Sequence, residues 1–206
     1  MTPGRWKDLV ELFGWDRGAY SGCWCMWFRI SQQEFSRNAP NGGAPNREAM
    51  KRLVERGKVP GLLAYRDAKP VGWVSIAPRE QFARIERSPV TKPVDDEPGV
   101  WSIVCWYIDR HHRGEGVGST LLEAAIDHAR RKGARIVEGY PVDPSHRAKS
   151  NAEAFVGVTS MFRAAGFQEV ARRSAGRPVM RLVLDGARTA RARNETGRGR
   201  TPRRTA

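Results

Sequence analysis

The six residues from Arg113 to Gly118 read Arg-Gly-Glu-Gly-Val-Gly, three glycines alternating with Glu115 and Val117. They stand where the apolar run "WSIVCWYI" gives way to "STLLEAAIDHARRKGA", whose apolar residues repeat at helical spacing. A helix that opens on bare glycine backbone presents unpaired amide N–H groups and a partial positive charge, and so suits phosphate. Glycine fits that use, since a Cβ at 116 or 118 would stand between the amides and the anion. A P-loop needs a lysine followed by Ser or Thr after its last glycine, but Gly118 is followed directly by Ser119 and Thr120. The dinucleotide fingerprint Gly-x-Gly-x-x-Gly fails from Gly114, where Ser119 takes the third position, and from Gly116, where Leu121 does. Glu138 does fall twenty residues after Gly118, where a dinucleotide fold places its ribose-binding acid. Only one crossover unit is visible around it, however, and an antiparallel hairpin precedes that unit.

The other reactive side chains are sparser. Cys23, Cys25 and Cys105 are odd in number, and two of them are one residue apart, which is no disulfide framework. His111, His112, His128 and His146 are scattered through unrelated segments, so no zinc spacing emerges and no metal is expected. The cysteines read as small apolar packing groups.

Around these residues the chain must supply a frame. At 206 residues it is long enough to bury a real core in one domain. The net charge of +14 is unevenly placed: between 186 and 206 seven arginines face only Glu195, and no large apolar residue occurs. That segment reads as a basic, disordered tail beyond a domain at 1–185. The remaining positive surplus suits an enzyme that handles a polyanionic cofactor better than it suits nucleic-acid binding. No membrane-length apolar run and no signal peptide are visible, so a cytoplasmic protein without a membrane partner is expected.

"RWKDLVELFG" places Trp6, Leu9, Val10 and Phe13 on one helical face and stops at Gly14. "CWCMWFRI" (23–30) reads as a strand or a buried extended segment, and "NAPNGGAPN" as a loop. Asn46 is placed to cap "REAMKRLVERG", with Met50, Leu53 and Val54 on its inner face. A hairpin follows, with strands at 61–66 and 71–77, then a short helix and a loop over 79–99. "VWSIVCWYI" is a central strand covered on both faces. The glycine-led helix carries Val117, Leu121, Leu122, Ala125, Ile126 and Ala129 inward and leads to the strand "RIVEGYPV", a right-handed crossover with parallel strands. After a flexible stretch near 143–152, "TSMFRAA" forms a short helix, and "FQEVARR" pairs with "RPVMRLVL". The fold class is α/β (α+β): a mixed, mainly antiparallel central sheet, helices on both faces, and one parallel strand–helix–strand unit.

Arg113, Gly116 and Gly118 also match Arg/Gln-x-x-Gly-x-Gly/Ala. Together with "VCWYIDRHH" before them, and "LLEAAIDHARRKGA", "RIVEGYP" and "MFRAAGFQEV" after, they make the chain resemble the Gcn5-related N-acetyltransferase (GNAT) family over most of residues 1–185. The resemblance implies acetyl-CoA as acyl donor and a primary amine as acceptor, on a small molecule or a protein lysine. It implies that the backbone of Arg113, Gly114, Glu115, Gly116, Val117 and Gly118, with Ser119, binds the pyrophosphate. The pantetheine arm would enter where the parallel strands splay and pair with backbone groups of Trp106 and Ile108; an amide there would face the developing oxyanion.

The chemistry requires a deprotonated amine, whose ordinary pKa is ~10.4. The sequence departs from the family pattern at two places. Where some members carry a carboxylate base stands Ser102, which leaves Glu138 as substitute, with Asp143 and Glu97 behind it. A structural ion pair with an arginine is an equal reading of Glu138. Where many members carry an acidic tyrosine stands Phe162, so Tyr140 and Ser160 are the candidates to protonate sulfur, through water, and Tyr140 reads equally as core. A water relay with no single essential base is a further option. Trp24, Trp27, Phe28 and Trp73 would form an aromatic wall for the acceptor, or be core. Two rivals stand beside the enzyme: a catalytically weak acyl-CoA-binding sensor, and a nucleic-acid binder acting through the tail. Oligomeric state is open, a homodimer included.

Overall fold

The computed structural model describes residues 1–146 and 154–184. The basic segment 186–206 lies outside the described residues, as does most of the connection expected near 143–152.

Helix α1 (Trp6–Phe13) buries Leu9, Leu12 and Phe13 and ends at Gly14, whose φ of +77° no other residue type adopts readily. The run 23–30 is neither strand nor extended. The chain from Gly14 to Ile30 is a succession of tight turns, with positive φ at Ala19, Ser21, Trp24 and Cys25 as well as at three glycines. Burial, not alternation, explains its aromatic composition: Trp24, Cys25, Met26 and Phe28 are all buried, and the Trp24 indole donates to Gly42 O at 2.8 Å. Helix α2 (Gln32–Asn38) is capped by the Ser31 hydroxyl.

Helix α3 (Ala44–Glu55) begins earlier than its sequence suggests, because Gly43 in a left-handed conformation and Pro45 in the first turn start it. Asn46 is therefore not its cap. Its side chain is fully buried and donates to Gly22 O at 2.9 Å, tying the helix to the turn segment. Gly22 and Gly43 cross so closely there that a Cβ on either would fall about 2 Å from a backbone oxygen.

The hairpin strands β1 (Gly61–Arg66) and β2 (Lys69–Pro78) stand where the sequence places them. Helix α4 (Ala83–Arg87) and a loop follow, then the central strand β3 (Val100–Ile108), helix α5 (Val117–Arg131) and strand β4 (Ile136–Gly139). Helix α6 (Thr159–Ala164), β5 (Gln168–Arg172) and β6 (Pro178–Val183) complete the order.

The six strands form one sheet in the order β1-β2-β3-β4-β6-β5, antiparallel except between β3 and β4. One face packs on α1, α3 and the turn segment through Phe13, Trp24, Met50 and Trp73; the other packs on α5 and α6 through Val74, Ile103, Leu122 and Phe162. No helix among the described residues is long and apolar enough to cross a membrane.

Candidate active site

Two features of β3 shape the site. Its register against β2 slips between Ser75, opposite Cys105, and Ile76, opposite Ile103, so Val104 is an extra residue. This bulge turns both Val104 and Cys105 toward the α1 side and bends the strand. On its other edge, β3 pairs with β4 only from Val100↔Ile136 to Ile103↔Gly139. Beyond that rung β3 runs on to Ile108, while the chain after β4 turns away, Val142 exchanging hydrogen bonds with Gly157 and Thr159. The strands splay, and among the described residues no strand covers the edge that carries Trp106 and Ile108.

The splay leads to the glycine segment. After Ile108, Asp109 caps a single turn by accepting from His111 N at 2.8 Å. Gly114 and Gly116 follow with φ of +81° and +80°, and nothing lies within 4 Å of where a Cβ on either would sit. Backbone conformation therefore demands glycine at these two positions, and the space beside them is open. Gly116 caps α5 without any side-chain hydrogen bond, so no side chain competes for the first-turn amides. Gly118 is inside the helix, and its Cβ would meet Met161 Sδ of α6 at 3.5 Å.

The side chains here are arranged around that backbone. Arg113 Nε donates back to Ile108 O at 3.3 Å, Glu115 pairs with Arg66 at 3.4 Å and with His112 at 3.1 Å, Val117 is buried, and Ser119 is exposed. Trp106 adds something sequence reasoning missed. It is 4% exposed, its ring meets Phe162 edge-on at 5.5 Å, and its indole N–H is buried with no hydrogen-bond partner among the described residues. Such an orphan donor is costly, and an extended amide arm laid beside it would supply an acceptor. Gly157 stands beside it, where a Cβ would crowd Met161, Phe162 and Trp106. A phosphate-bearing thioester with an extended amide arm fits these features: open amides at a helix start, an uncovered strand edge and a spare buried donor.

Glu138 and Tyr140 lie on the α1 face. Ser102, Glu138 and Arg181 occupy one cross-strand row, by the pairings Ser102↔Glu138 and Glu138↔Arg181. Tyr140 donates to Glu138 Oε2 at 2.9 Å and shares a 3.1 Å hydrogen bond with Ser102. Arg181 donates to Glu138 Oε1 at 2.6 Å, and Arg79 reaches the same oxygen at 3.5 Å. Arg181 also grips Asp95 at 2.5 and 2.7 Å, pinning the 88–99 loop over the sheet. Ser102, Glu138 and Tyr140 are at most 1% exposed. Burial first, then the Glu138 charge, pushes the Tyr140 phenol well above its ordinary pKa, while the hydrogen bond from Arg181 holds Asp95 below the usual carboxylate range.

Ser160 is not part of this group: it is exposed on α6, which packs on the opposite face. Phe162 is fully buried, its ring occupying the space where a Cβ on Gly139 would go. Asp143 accepts from the Ser145 hydroxyl at 2.6 Å and pairs with Arg172 at 3.0 Å, and Glu97 belongs to the 88–99 loop.

The expected aromatic wall divides. Trp24 and Trp73 are fully buried core, whereas Trp27 and Phe28 line a cavity of about 170 Å³ beside Cys105. Its other walls are Tyr20, Cys23, Cys25, Phe35 and Phe155. The three cysteines thus share one cavity, and among the described residues no group of three or more His, Cys, Asp and Glu side chains could hold a metal ion. Their convergence was invisible in the sequence, since Cys105 is brought to the others only by the bulge.

A family model described as acetyltransferase (GNAT) family matches residues 24–155. No curated protein is similar enough in sequence to match. Among solved structures, the chain is similar to an N-acetyltransferase from Staphylococcus aureus Mu50, at 12% identity over 90% of this chain and 96% of that one, with a TM-score of 0.52. It is also similar to yncA from Salmonella typhimurium, solved with its cofactor acetyl-CoA, at 18% identity over 90% and 91% of the two chains and a TM-score of 0.52. A GNAT-family acetyltransferase from Streptococcus pneumoniae gives 16% identity, 89% and 96% coverage and a TM-score of 0.52. These structural likenesses, all under 25% identical, speak to fold alone. The family match spans well over half of the sequence, from the turn segment through the glycine-led helix to the far lip of the splay, and the chain belongs to the GNAT family of acetyltransferases.

Proposed function

We propose that this protein transfers the acetyl group of acetyl-CoA to a primary amine. The observation that carries the reading is the continuity of the uncovered β3 edge with the open amides of the α5 start. Backbone groups from Arg113 to Ser119 would hold the pyrophosphate at the positive end of the helix. Trp106 and Ile108 would hold the amide arm through their backbones, and the Trp106 indole N–H would gain the acceptor it lacks. When bound, acetyl-CoA supplies an acyl carbon activated by a thiol leaving group. The chain's part is to orient it, to aim a β3 amide at the carbonyl oxygen, and to take away a proton.

For the proton, both Glu138 oxygens already hold donors, so Glu138 would act through Tyr140 rather than touch the amine. Tyr140, bridging Ser102 and Glu138, is then the inner end of a water-borne relay. Ser160, exposed on α6, and water are the candidates to protonate the departing sulfur. The acceptor class is a small-molecule amine or a protein lysine. A second reading, an acyl-CoA sensor with little turnover, draws on Ser102 and Phe162 standing where relatives carry a base and an acid.

Calorimetric titration of acetyl-CoA into wild type and Gly118→Asp tests the cradle. Aspartate in the first turn of a helix is well tolerated, so the variant should fold, as circular dichroism would show. Its negative charge, carried on a Cβ that faces Met161 beside the first turn, should weaken binding at the pyrophosphate site at least tenfold. A folded wild type that binds no acyl-CoA overturns the proposal; binding without turnover of any amine favours the sensor.

A further inference from the structure

The cavity beside Cys105 has a form that narrows the acceptor. Its floor is Cys23, Cys25, Phe28 and Cys105, all buried, and its rim is Tyr20, Trp27, Phe35 and Phe155, all half-buried. The rim rings stand in pairs, Tyr20 with Phe155 at 6.2 Å and Trp27 with Phe35 at 4.7 Å. Cys105 belongs to the β3 lip of the splay, and Phe155 lies two residues before Gly157, which hydrogen-bonds Val142 on the β4 lip. The cavity therefore flanks the uncovered edge along which the acyl group would lie.

Its chemistry is uniformly apolar. Among the described residues no carboxylate lines it. Two of the thiols stay protonated: burial pushes Cys23 up to about 12, and a hydrogen bond with Cys25 together with burial pushes Cys105 up as well. The one indole N–H that points at a sulfur, from Trp73 to Cys25 at 2.9 Å, is spent on it. The flanks are positive. The Arg84 guanidinium covers a face of Trp27 at 3.8 Å, and Arg113 acts electrostatically on Tyr20. A cationic occupant would lose its water, find no counter-ion among the described lining residues and meet like charge. Shape is held as well, because the turn segment that supplies Tyr20, Cys23 and Cys25 adopts positive φ at four non-glycine residues, a conformation kept only where surroundings impose it. In size the cavity is close to the ~150 Å³ apolar cavity known to take a benzene molecule.

We infer that the acceptor is a primary amine carrying one uncharged, apolar group of about phenyl size, which this cavity seats while the nitrogen faces the β3 edge. The inference rests on the acetyl-transfer reading above. In the step it serves, the neutral amine nitrogen forms a bond to the acyl carbon, the C–S bond breaks, the nitrogen's extra proton leaves to water, and the thiol is released protonated. A protein lysine or a polyamine, with a charge or polar backbone where the apolar group should be, is disfavoured.

The test compares benzylamine and phenethylamine with ethylamine, putrescine and a lysine-containing peptide in an acetyl-CoA turnover assay, after acetyl-CoA binding has been measured by calorimetry. Each buried carbon is worth about fourfold. The arylalkylamines should exceed ethylamine at least tenfold in kcat/KM, and putrescine and the peptide should fall below it. Cys23→Phe, which fills the floor, should bring arylalkylamine kcat/KM down to the ethylamine level with acetyl-CoA affinity unchanged. Should that variant misfold, Phe35→Ala, which widens the rim, should move the preference to a naphthylmethylamine. If acetyl-CoA does not bind at all, the acetyl-transfer reading fails and takes the inference with it. If it binds and the peptide or putrescine matches or exceeds benzylamine, the inference alone is overturned. If it binds without turnover, NMR titration of benzylamine into the acetyl-CoA complex decides, and absence of shifts in the Tyr20 and Phe155 rings overturns it.

Discussion

Arg181→Met would break the buried ion pair under the 88–99 loop. Glu138 is 0% exposed, and the Arg181 side chain is 9% exposed, with 2.6 Å between Nε and Oε1. Removing one partner of a buried pair costs ~3–5 kcal/mol, because the other charge is left uncompensated away from water. Three features place the expected loss at the lower end. Arg79 still reaches Oε1 at 3.5 Å, the Tyr140 hydroxyl still donates to Oε2, and the Asp95 leg is 42% exposed, so it adds at most ~1 kcal/mol. The estimate is about 3 kcal/mol, a shift of about 1–2 M in urea midpoint at a slope of about 2 kcal/mol/M. The double variant Glu138→Gln with Arg181→Met removes both charges together, and should recover about 2 kcal/mol of that loss. Urea unfolding followed by tryptophan fluorescence compares wild type with both variants. A single variant that loses under 1 kcal/mol, or a double variant no better than the single, would refute the buried-pair account.

Two further outcomes are expected. Trp106→Phe removes a donor that has no partner among the described residues, so stability should change little while acetyl-CoA affinity falls about fivefold to tenfold by calorimetry; lost stability with unchanged affinity would contradict that role. The Ser145 hydroxyl, with Arg172 behind it, holds the Asp143 carboxyl well below the usual range, so this contribution is complete above the ordinary carboxylate pKa of ~3.9 and is lost as pH falls through the lowered value. Ser145→Ala should therefore be less stable than wild type at neutral pH, with a gap that closes only below about pH 4 in denaturation midpoints; a gap independent of pH would point elsewhere.

Much of the frame was legible because it follows from local pattern. The spacing of Val117, Leu121, Leu122, Ala125, Ile126 and Ala129 names a helix and its buried stripe, and all six are buried. The continuous apolar run of β3 names a strand covered on both faces, and the glycines at 114 and 116 name a backbone only glycine adopts cheaply. The turn segment was misread as extended because aromatic and β-like composition reports burial, whereas its path is set by contacts with Gly42, Gly43 and Asn46 more than fifteen residues away. Asn46 was misread as a cap for the same reason: a cap is a local role, and this side chain serves a distant carbonyl.

The sequence by itself therefore determined most of the helices and strands, though not α2 or the turn segment, and where a bare helix start meets a strand end, since these depend on neighbours along the chain. Only the tertiary structure decided what those segments enclose. Glu138 meets Arg181 and Tyr140 through sheet register, and a one-residue bulge turns Cys105 toward Cys23 and Cys25. The Trp106 ring packs on Phe162, more than fifty residues away, and leaves its N–H unspent among the described residues. Charge compensation, cavity shape and orphan donors are properties of groups far apart in sequence, and their geometry exists only once the sheet has closed around them.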